Sequence, residues 1–275
     1  MNALTMDSLL DSPKYLPSNR SVVWDLLRTL DQPDVTSTQI VELLNKDPAL
    51  VSRLLKLANT SFFGVSRQVA TTHDAVIVLG LMTVSKMALA ASLFSAENPE
   101  LNVFWKHSLR IAYLSSVVAK WAGQPVEICF AAGLLRGIGL LLLYGHDPVY
   151  GKYFGVDWQE NYALSQLEYE RYGFNHVALG VALANRWQFP ALITEAISCS
   201  YKQPPEPISM VALTNHFADE WVSLASSEEQ EVIEKTSFSA WLSESLELPE
   251  PKWALLLVEL GECDKAILNT SWGAN

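Results

Sequence analysis

The chain has 275 residues, 49% of them hydrophobic and 18% charged, which is enough apolar material for a packed core and unlike a disordered chain. Its net charge of −11 excludes the generic attraction to phosphate backbones on which non-specific DNA or RNA binding depends. The 3 cysteines, Cys129, Cys199 and Cys263, are odd in number and far apart, which excludes a disulfide framework and a cysteine zinc site. Cys129 and Cys263 read as small apolar core residues.

In chain order, Met1–Leu10 lacks the basic start and apolar run of a secretory signal, so the protein is expected in the cytoplasm. Arg20–Leu30 places Val23, Leu26, Leu27 and Leu30 at helical spacing. Thr36-x-x-Gln39 is a capping-box pattern ahead of Ile40, Leu43 and Leu44. Asp47-Pro48 offers an N-cap acceptor followed by proline at the first helical position, with Leu50, Leu54, Leu57 and Ala58 on one face beyond. Thr71 or Thr72 caps a helix through Leu79, Gly80 breaks it, and another helix follows over Met82–Ser95. This pair has the outline of a helix-turn-helix, but the second helix offers only Lys86 among apolar neighbours. A recognition helix needs polar side chains to reach base edges, so the pair reads as core packing.

A long helix is predicted over Asn102–Ala122, stopping at Gly123. Further helices are predicted over Glu127–Tyr144, Gln159–Arg171, His176–Trp187, Ala191–Ser200, Ile208–Leu224 and Lys252–Leu268. The apolar run Ile128–Gly145 is broken by Arg136 and rich in glycine, so it reads as a buried helix and not as a bilayer span. Strand patterns are scarce and the fold class is all-α. Residues 206–275 carry 3 basic and 13 acidic groups, nearly all of the excess negative charge, and read as acidic C-terminal helices with a solvated face.

The histidines, His73, His107, His146, His176 and His216, show no H-E-x-x-H or H-x-H spacing, so no local metal motif can be drawn. Gly137 and Gly139 lie in a G-x-G fragment without the lysine of a phosphate loop, and read as close helix-packing positions.

An ordered set of segments then carries a resemblance. It comprises Leu16-Pro17, Asp47-Pro48-Ala49-Leu50, Leu54-x-x-Leu57-Ala58-Asn59-x-x-x-Phe63-Gly64, Ala75-Val76-x-x-Leu79-Gly80 and Phe104-Trp105-x-His107-Ser108. It continues with Ala132-Gly133-Leu134-Leu135, Glu168-x-x-x-x-Gly173-x-x-His176, Trp187-x-x-Pro190 and Ala196-Ile197. Together these resemble the HDOD domain, the HD-related output domain of bacterial signalling proteins, over residues 12–205. The resemblance implies an N-terminal helical bundle over about 12–100, packed on HD-like helices over about 101–205. Residues 206–275 would complete the HD-like part.

In the parent HD phosphohydrolases the metal ligands follow the order His, His-Asp, Asp. The resemblance keeps the first as His107, puts Arg136 and Gly137 in the places of the His-Asp pair, and aligns the last aspartate with Asn215. A divalent cation needs several donors and carboxylate charge, whereas arginine is a fixed cation with no acceptor. The expectation is therefore no enzyme activity, no metal and no cofactor.

Arg136 lies in an apolar helix, and a buried guanidinium requires a partner. Two readings stay open. It forms an internal salt bridge, with Glu168 as the candidate, or it holds a ligand phosphate beside His107 and His176. The residues of this degenerate pocket are His107, Arg136, Glu168, His176 and Asn215.

The expected function is a non-catalytic module of bacterial signal transduction that acts through an unidentified regulatory protein partner. At 275 residues the chain leaves no room for an attached receiver, GGDEF or EAL domain, so it would act in trans. Exposed members of the set Trp105, Trp121, Trp158, Trp187 and Trp221 could anchor the partner, most of that set being core. The alternatives are a nucleotide or cyclic-dinucleotide sensor and, behind it, a residual metal-dependent phosphohydrolase. Neither nucleic acid nor membrane is expected as a partner.

Overall fold

The computed structural model describes residues 4–11, 25, 26, 29, 34–59, 68–81, 83–85, 88, 99–155, 158–199, 210–225 and 249–269. Every regular element among them is helical, as the all-α reading expects. The helices are α1 (Met6–Asp11), α2 (Ser37–Leu44), α3 (Pro48–Ala58), α4 (Thr72–Leu79), α5 (Pro99–Trp121) and α6 (Val126–Leu135). They continue with α7 (Ile138–His146), α8 (Trp158–Tyr172), α9 (His176–Arg186), α10 (Ala191–Ser198), α11 (Met210–Ala225) and α12 (Glu250–Leu268). One 3-10 helix, Pro148–Tyr153, follows α7. Most of the helix expected over 20–30, Phe63-Gly64 and most of the helix expected over 82–95 lie outside the described residues.

The chain divides into two compact units, one of residues Pro17–Lys106 and Lys265–Asn275, the other of Met1–Leu16 and His107–Asp264. In the first, α2, α3 and α4 pack against one another. Thr36 closes α2 with the expected capping box: its hydroxyl accepts from the Gln39 N–H and the Gln39 side chain accepts from the Thr36 N–H. Asp47 accepts from the Leu50 N–H at 3.0 Å and so caps α3. Of the two threonines considered, Thr71 is the N-cap of α4, and Gly80 ends that helix at φ 84°, a conformation that favours glycine. Ile40, Leu44, Leu50, Leu54 and Ala75 are fully or almost fully buried. The Asn59 carboxamide bonds both backbone groups of Val69, each at 2.9 Å, and pins the approach to α4.

In the second unit α5, α11 and α12 share a core of Ile111, Leu114, Val118, Leu213, Phe217, Trp221, Leu256 and Leu260, against which Cys263 packs. Two polar clamps fix α12. The Arg110 guanidinium grips both oxygens of Asp264, which also accepts from the Trp221 indole at 3.3 Å. Glu259 accepts from Lys120 at 2.9 Å and from the Trp121 indole at 2.7 Å.

The segment Val126–His146 is long and apolar enough to cross a membrane, but its apolar window is 83% buried inside the protein. The single helix expected over 127–144 is two helices, and the break falls at Arg136–Gly137, where Gly137 takes φ −92° and ψ 13°. The break directs α7 against α9, where Gly139 sits against backbone: an added Cβ would lie 1.8 Å from the His176 carbonyl oxygen and 2.7 Å from the Gly180 nitrogen. Gly139 is thus a close-packing position, as expected, whereas Gly137 forms the helix junction. Around this axis α10 packs on α6, α9 and α11, and α8 packs on α9 and α11.

Candidate functional site

Three elements of the second unit converge on one carboxylate. Asp219, on α11, is 2% exposed, and so buried that its charge requires compensation. The Arg136 guanidinium, delivered by the break between α6 and α7, donates from Nη2 to Asp219 Oδ2 at 2.7 Å. His107, on α5, brings Nε2 to 3.8 Å from Asp219 Oδ1. One carboxylate oxygen is therefore engaged by a fixed cation while the other faces an imidazole.

The salt-bridge reading of Arg136 holds, but its expected partner does not. The carboxylate on Arg136 is Asp219, and Glu168 is engaged elsewhere. Glu168 Oε2 accepts from the His176 backbone N–H at 2.7 Å and meets His176 Nδ1 at 2.6 Å, with both residues 1% exposed. Here Glu168 and the Asn175 side chain, which accepts from the Ala178 N–H, satisfy the first turn of α9. A carboxylate at a helix N-terminus also complements the helix dipole.

Asn215, the residue aligned with the last ligand position, performs a different task. Its Nδ2 donates to the Val211 carbonyl at 2.8 Å, and its Oδ1 accepts from the Ser115 hydroxyl at 3.3 Å. It lies where α11 passes Gly133 of α6, whose missing Cβ would fall 2.6 Å from the Asn215 oxygen. The carboxylate facing Arg136 and His107 comes from one helical turn later. Of the five residues expected in one pocket, the structure joins His107 to Arg136 through Asp219 and pairs Glu168 with His176, while Asn215 ties α11 to Ser115 of α5. Asp219 escaped the alignment. The available signal was its spacing of four from Asn215, which puts both on the same face of α11.

The electrostatics follow from burial. Burial pushes the His107 imidazole down to about 4, Asp219 pulling it up and Arg136 and Arg110 pushing it further down. His216, three residues before Asp219, is likewise pushed down to about 4, by burial and then by Arg136. The Cys199 carbonyl and Asp219 oppose that shift. His216 Nε2 lies 2.6 Å from the Cys199 carbonyl, so the neutral ring donates its proton there. At neutral pH both imidazoles are uncharged, and Arg136 is the cation that faces Asp219.

This donor set does not fit a divalent cation. The one carboxylate at the centre is held by a guanidinium that cannot be deprotonated, and Gly137 brings no side chain. Among the described residues no group of three or more His, Cys, Asp or Glu side chains is gathered to hold a metal ion. The indoles proposed as anchors divide by burial: Trp105 and Trp221 are core at 2% and 5% exposed, Trp121 and Trp187 are partly exposed, and the Trp158 side chain lies outside the described residues.

Comparison with known proteins gives a family match and a set of similar folds. The HDOD domain model matches residues 16–203. A crystal structure of an HDOD domain protein of unknown function from Geobacter sulfurreducens aligns with a TM-score of 0.71 at 22% identity, over 96% of each chain. A candidate phosphohydrolase from Shewanella amazonensis SB2B aligns with a TM-score of 0.70 at 24% identity, over 96% of this chain and 98% of its own. A candidate signal transduction protein from Marinobacter aquaeolei VT8 aligns with a TM-score of 0.68 at 20% identity, over 94% of this chain and 60% of its own. An uncharacterized protein of Treponema pallidum (strain Nichols) is 27% identical over 220 residues. That match covers 76% of this chain and 43% of the relative, so the chain spans less than half of the relative's length.

Proposed function

Because the chain belongs to the HDOD domain family, we propose that it is a non-catalytic regulatory module of bacterial signal transduction, acting through contacts with a protein partner. One observation carries this reading: the buried 2.7 Å ion pair with Asp219 made by Arg136, the residue that the resemblance puts in the place of a metal-ligating histidine. A metal-activated water requires an open coordination position and ligands that tolerate positive charge. Arg136 meets neither demand. The same pair weighs against the nucleotide-sensor reading, because the guanidinium that would receive a phosphate already carries a carboxylate. The neighbour described as a candidate phosphohydrolase supports only the shared fold.

A hydrolysis assay tests the proposal. The purified chain is incubated with nucleoside mono-, di- and cyclic phosphates, cyclic dinucleotides and an aryl phosphodiester, with Mn²⁺ or Mg²⁺. The proposal expects no turnover above the metal-only blank. Turnover that requires the metal and disappears on His107→Ala or Asp219→Asn would overturn it.

A further inference from the structure

We infer that the seat of α1 on α7 and α9 is an exchangeable helix-binding site, in which a partner's helix carrying two adjacent leucines followed by an acidic residue takes the place of α1. The inference rests on the regulatory reading above and names the surface and the chemistry through which the partner would act.

The way α1 is fastened is the basis. It is a helix of 6 residues, whereas an isolated helix needs about 12–15 to be even marginally stable in water, so the seat is what keeps it folded. It packs on α7 and α9 within the second unit, while the chain from Pro17 to Lys106 belongs to the first. Leu9 and Leu10 are buried, and Thr5, Asp7, Ser8 and Asp11 are exposed. Polar groups in its first turn are met locally: the Ser8 N–H donates to the Thr5 hydroxyl at 3.3 Å, and the Ser8 hydroxyl to the Thr5 carbonyl at 2.7 Å. Among the described residues its polar tie to α9 is the ion pair of Arg186 Nη2 with Asp11 Oδ1 at 2.6 Å, whose side chains are 48% and 62% exposed. The same unit holds α12 differently, through the largely buried clamp of Arg110 on Asp264. Withdrawing α1 therefore breaks an ion pair that water replaces on both sides, and what the protein gives up is apolar cover.

That cover selects the occupant. Every residue of α7 from Ile138 to Tyr144 is buried, so lifting α1 away bares apolar surface that an amphipathic helix can refill with its own leucines. Arg186, at the end of α9, then receives an acid in the position of Asp11. A partner helix longer than α1 covers more of the surface, which offsets the advantage that α1 draws from its tether.

Fluorescence polarisation of the full chain with a labelled peptide of Leu4–Asp11 is the test. In the wild type the tethered α1 fills the seat, and in Leu9→Ser/Leu10→Ser it cannot. The variant is expected to bind the peptide at least about tenfold more tightly than the wild type. A peptide with both leucines replaced by serine should not bind. Arg186→Glu in the same background should weaken the original peptide about twofold to fivefold, and a peptide with Asp11→Lys should recover that loss. Equal affinity of variant and wild type, or binding of the serine peptide, overturns the site, and no recovery with the lysine peptide overturns the acidic partner. A concentration-dependent dimer of the wild type that Leu9→Ser/Leu10→Ser abolishes, read by light scattering, would give the seat to a second copy and overturn the partner assignment. If the variant does not fold, hydrogen exchange of the wild type decides. The Leu9–Asp11 amides should exchange at least about tenfold faster than those of α7, and equal protection would mean that α1 leaves only when the whole unit opens. Turnover is a separate readout: metal-dependent hydrolysis would overturn the regulatory reading and leave the seat standing, whereas equal peptide affinity would overturn the seat alone.

Discussion

Replacing Gly139 by alanine tests the packing on which the candidate site rests. The new Cβ would meet the His176 carbonyl oxygen at 1.8 Å and the Gly180 nitrogen at 2.7 Å. Both are backbone atoms, so no rotamer change relieves the clash and α7 must move away from α9. Overpacking of a well-packed core costs about 1–3 kcal/mol where side chains can give way, and here the cost should be about 3 kcal/mol or more. For a chain of this size that lowers Tm by roughly 6–12 °C. Gly80→Ala is the control: it meets no atom within 4 Å but sits at φ 84° and ψ 154°, so it carries only backbone strain of about 1–3 kcal/mol. Melting of the two variants side by side decides the matter. If G139A melts no lower than G80A, α7 and α9 are not in backbone contact, and the placement of both the Arg136 junction and His176 is wrong.

The remaining predictions concern the charged groups. His107 and His216 have folded values near 4 against an ordinary value of 6.5, so the unfolded chain binds more protons in between. Their contribution is complete above pH 6.5 and is lost as pH falls toward 4, on the order of 2 kcal/mol each by pH 5. Urea titrations from pH 7.5 to 4.5 read this loss, which should shrink in His216→Gln, and an unchanged slope would contradict it. Glu168→Gln keeps the shape of the side chain but removes the charge behind its bonds to His176, at a cost of about 2 kcal/mol by denaturant titration. Asp264→Asn breaks the grip of Arg110 on a largely buried carboxylate and should cost about 3 kcal/mol, with the loss reported by the fluorescence of Trp221, whose indole bonds the same group.

What the sequence made legible was local or charge-based. The capping box at Thr36, the Asp47-Pro48 start and the Gly80 stop are each written in four or five residues, and the structure realises them as read. The need of Arg136 for an anionic partner was legible from its place in an apolar helix, with carboxylate and ligand phosphate both open. Its identity was not, because the choice between Glu168 and Asp219 depends on how α8 and α11 approach the α6–α7 break, and no spacing in the chain encodes that. The break itself was hidden for a related reason. A helix buried on every side has no polar face, so residues 127–144 give no periodic signal to show where one helix ends and the next begins. Asp219 was not legible because the ligand pattern marks Asn215 alone, whereas only geometry shows which residue of α11 faces His107.

The most direct test of the account is a thermal-shift measurement on the wild-type chain with Mn²⁺ or Mg²⁺, alone and with nucleotides. A ligand at 100 times its dissociation constant stabilises a folded protein by about 2.7 kcal/mol, well within reach of such a melt. With Arg136 seated on Asp219, the account predicts the same Tm under every condition. A metal-dependent rise that Asp219→Asn abolishes would contradict it, because it would mean that a cation displaces the guanidinium and that the centre is open.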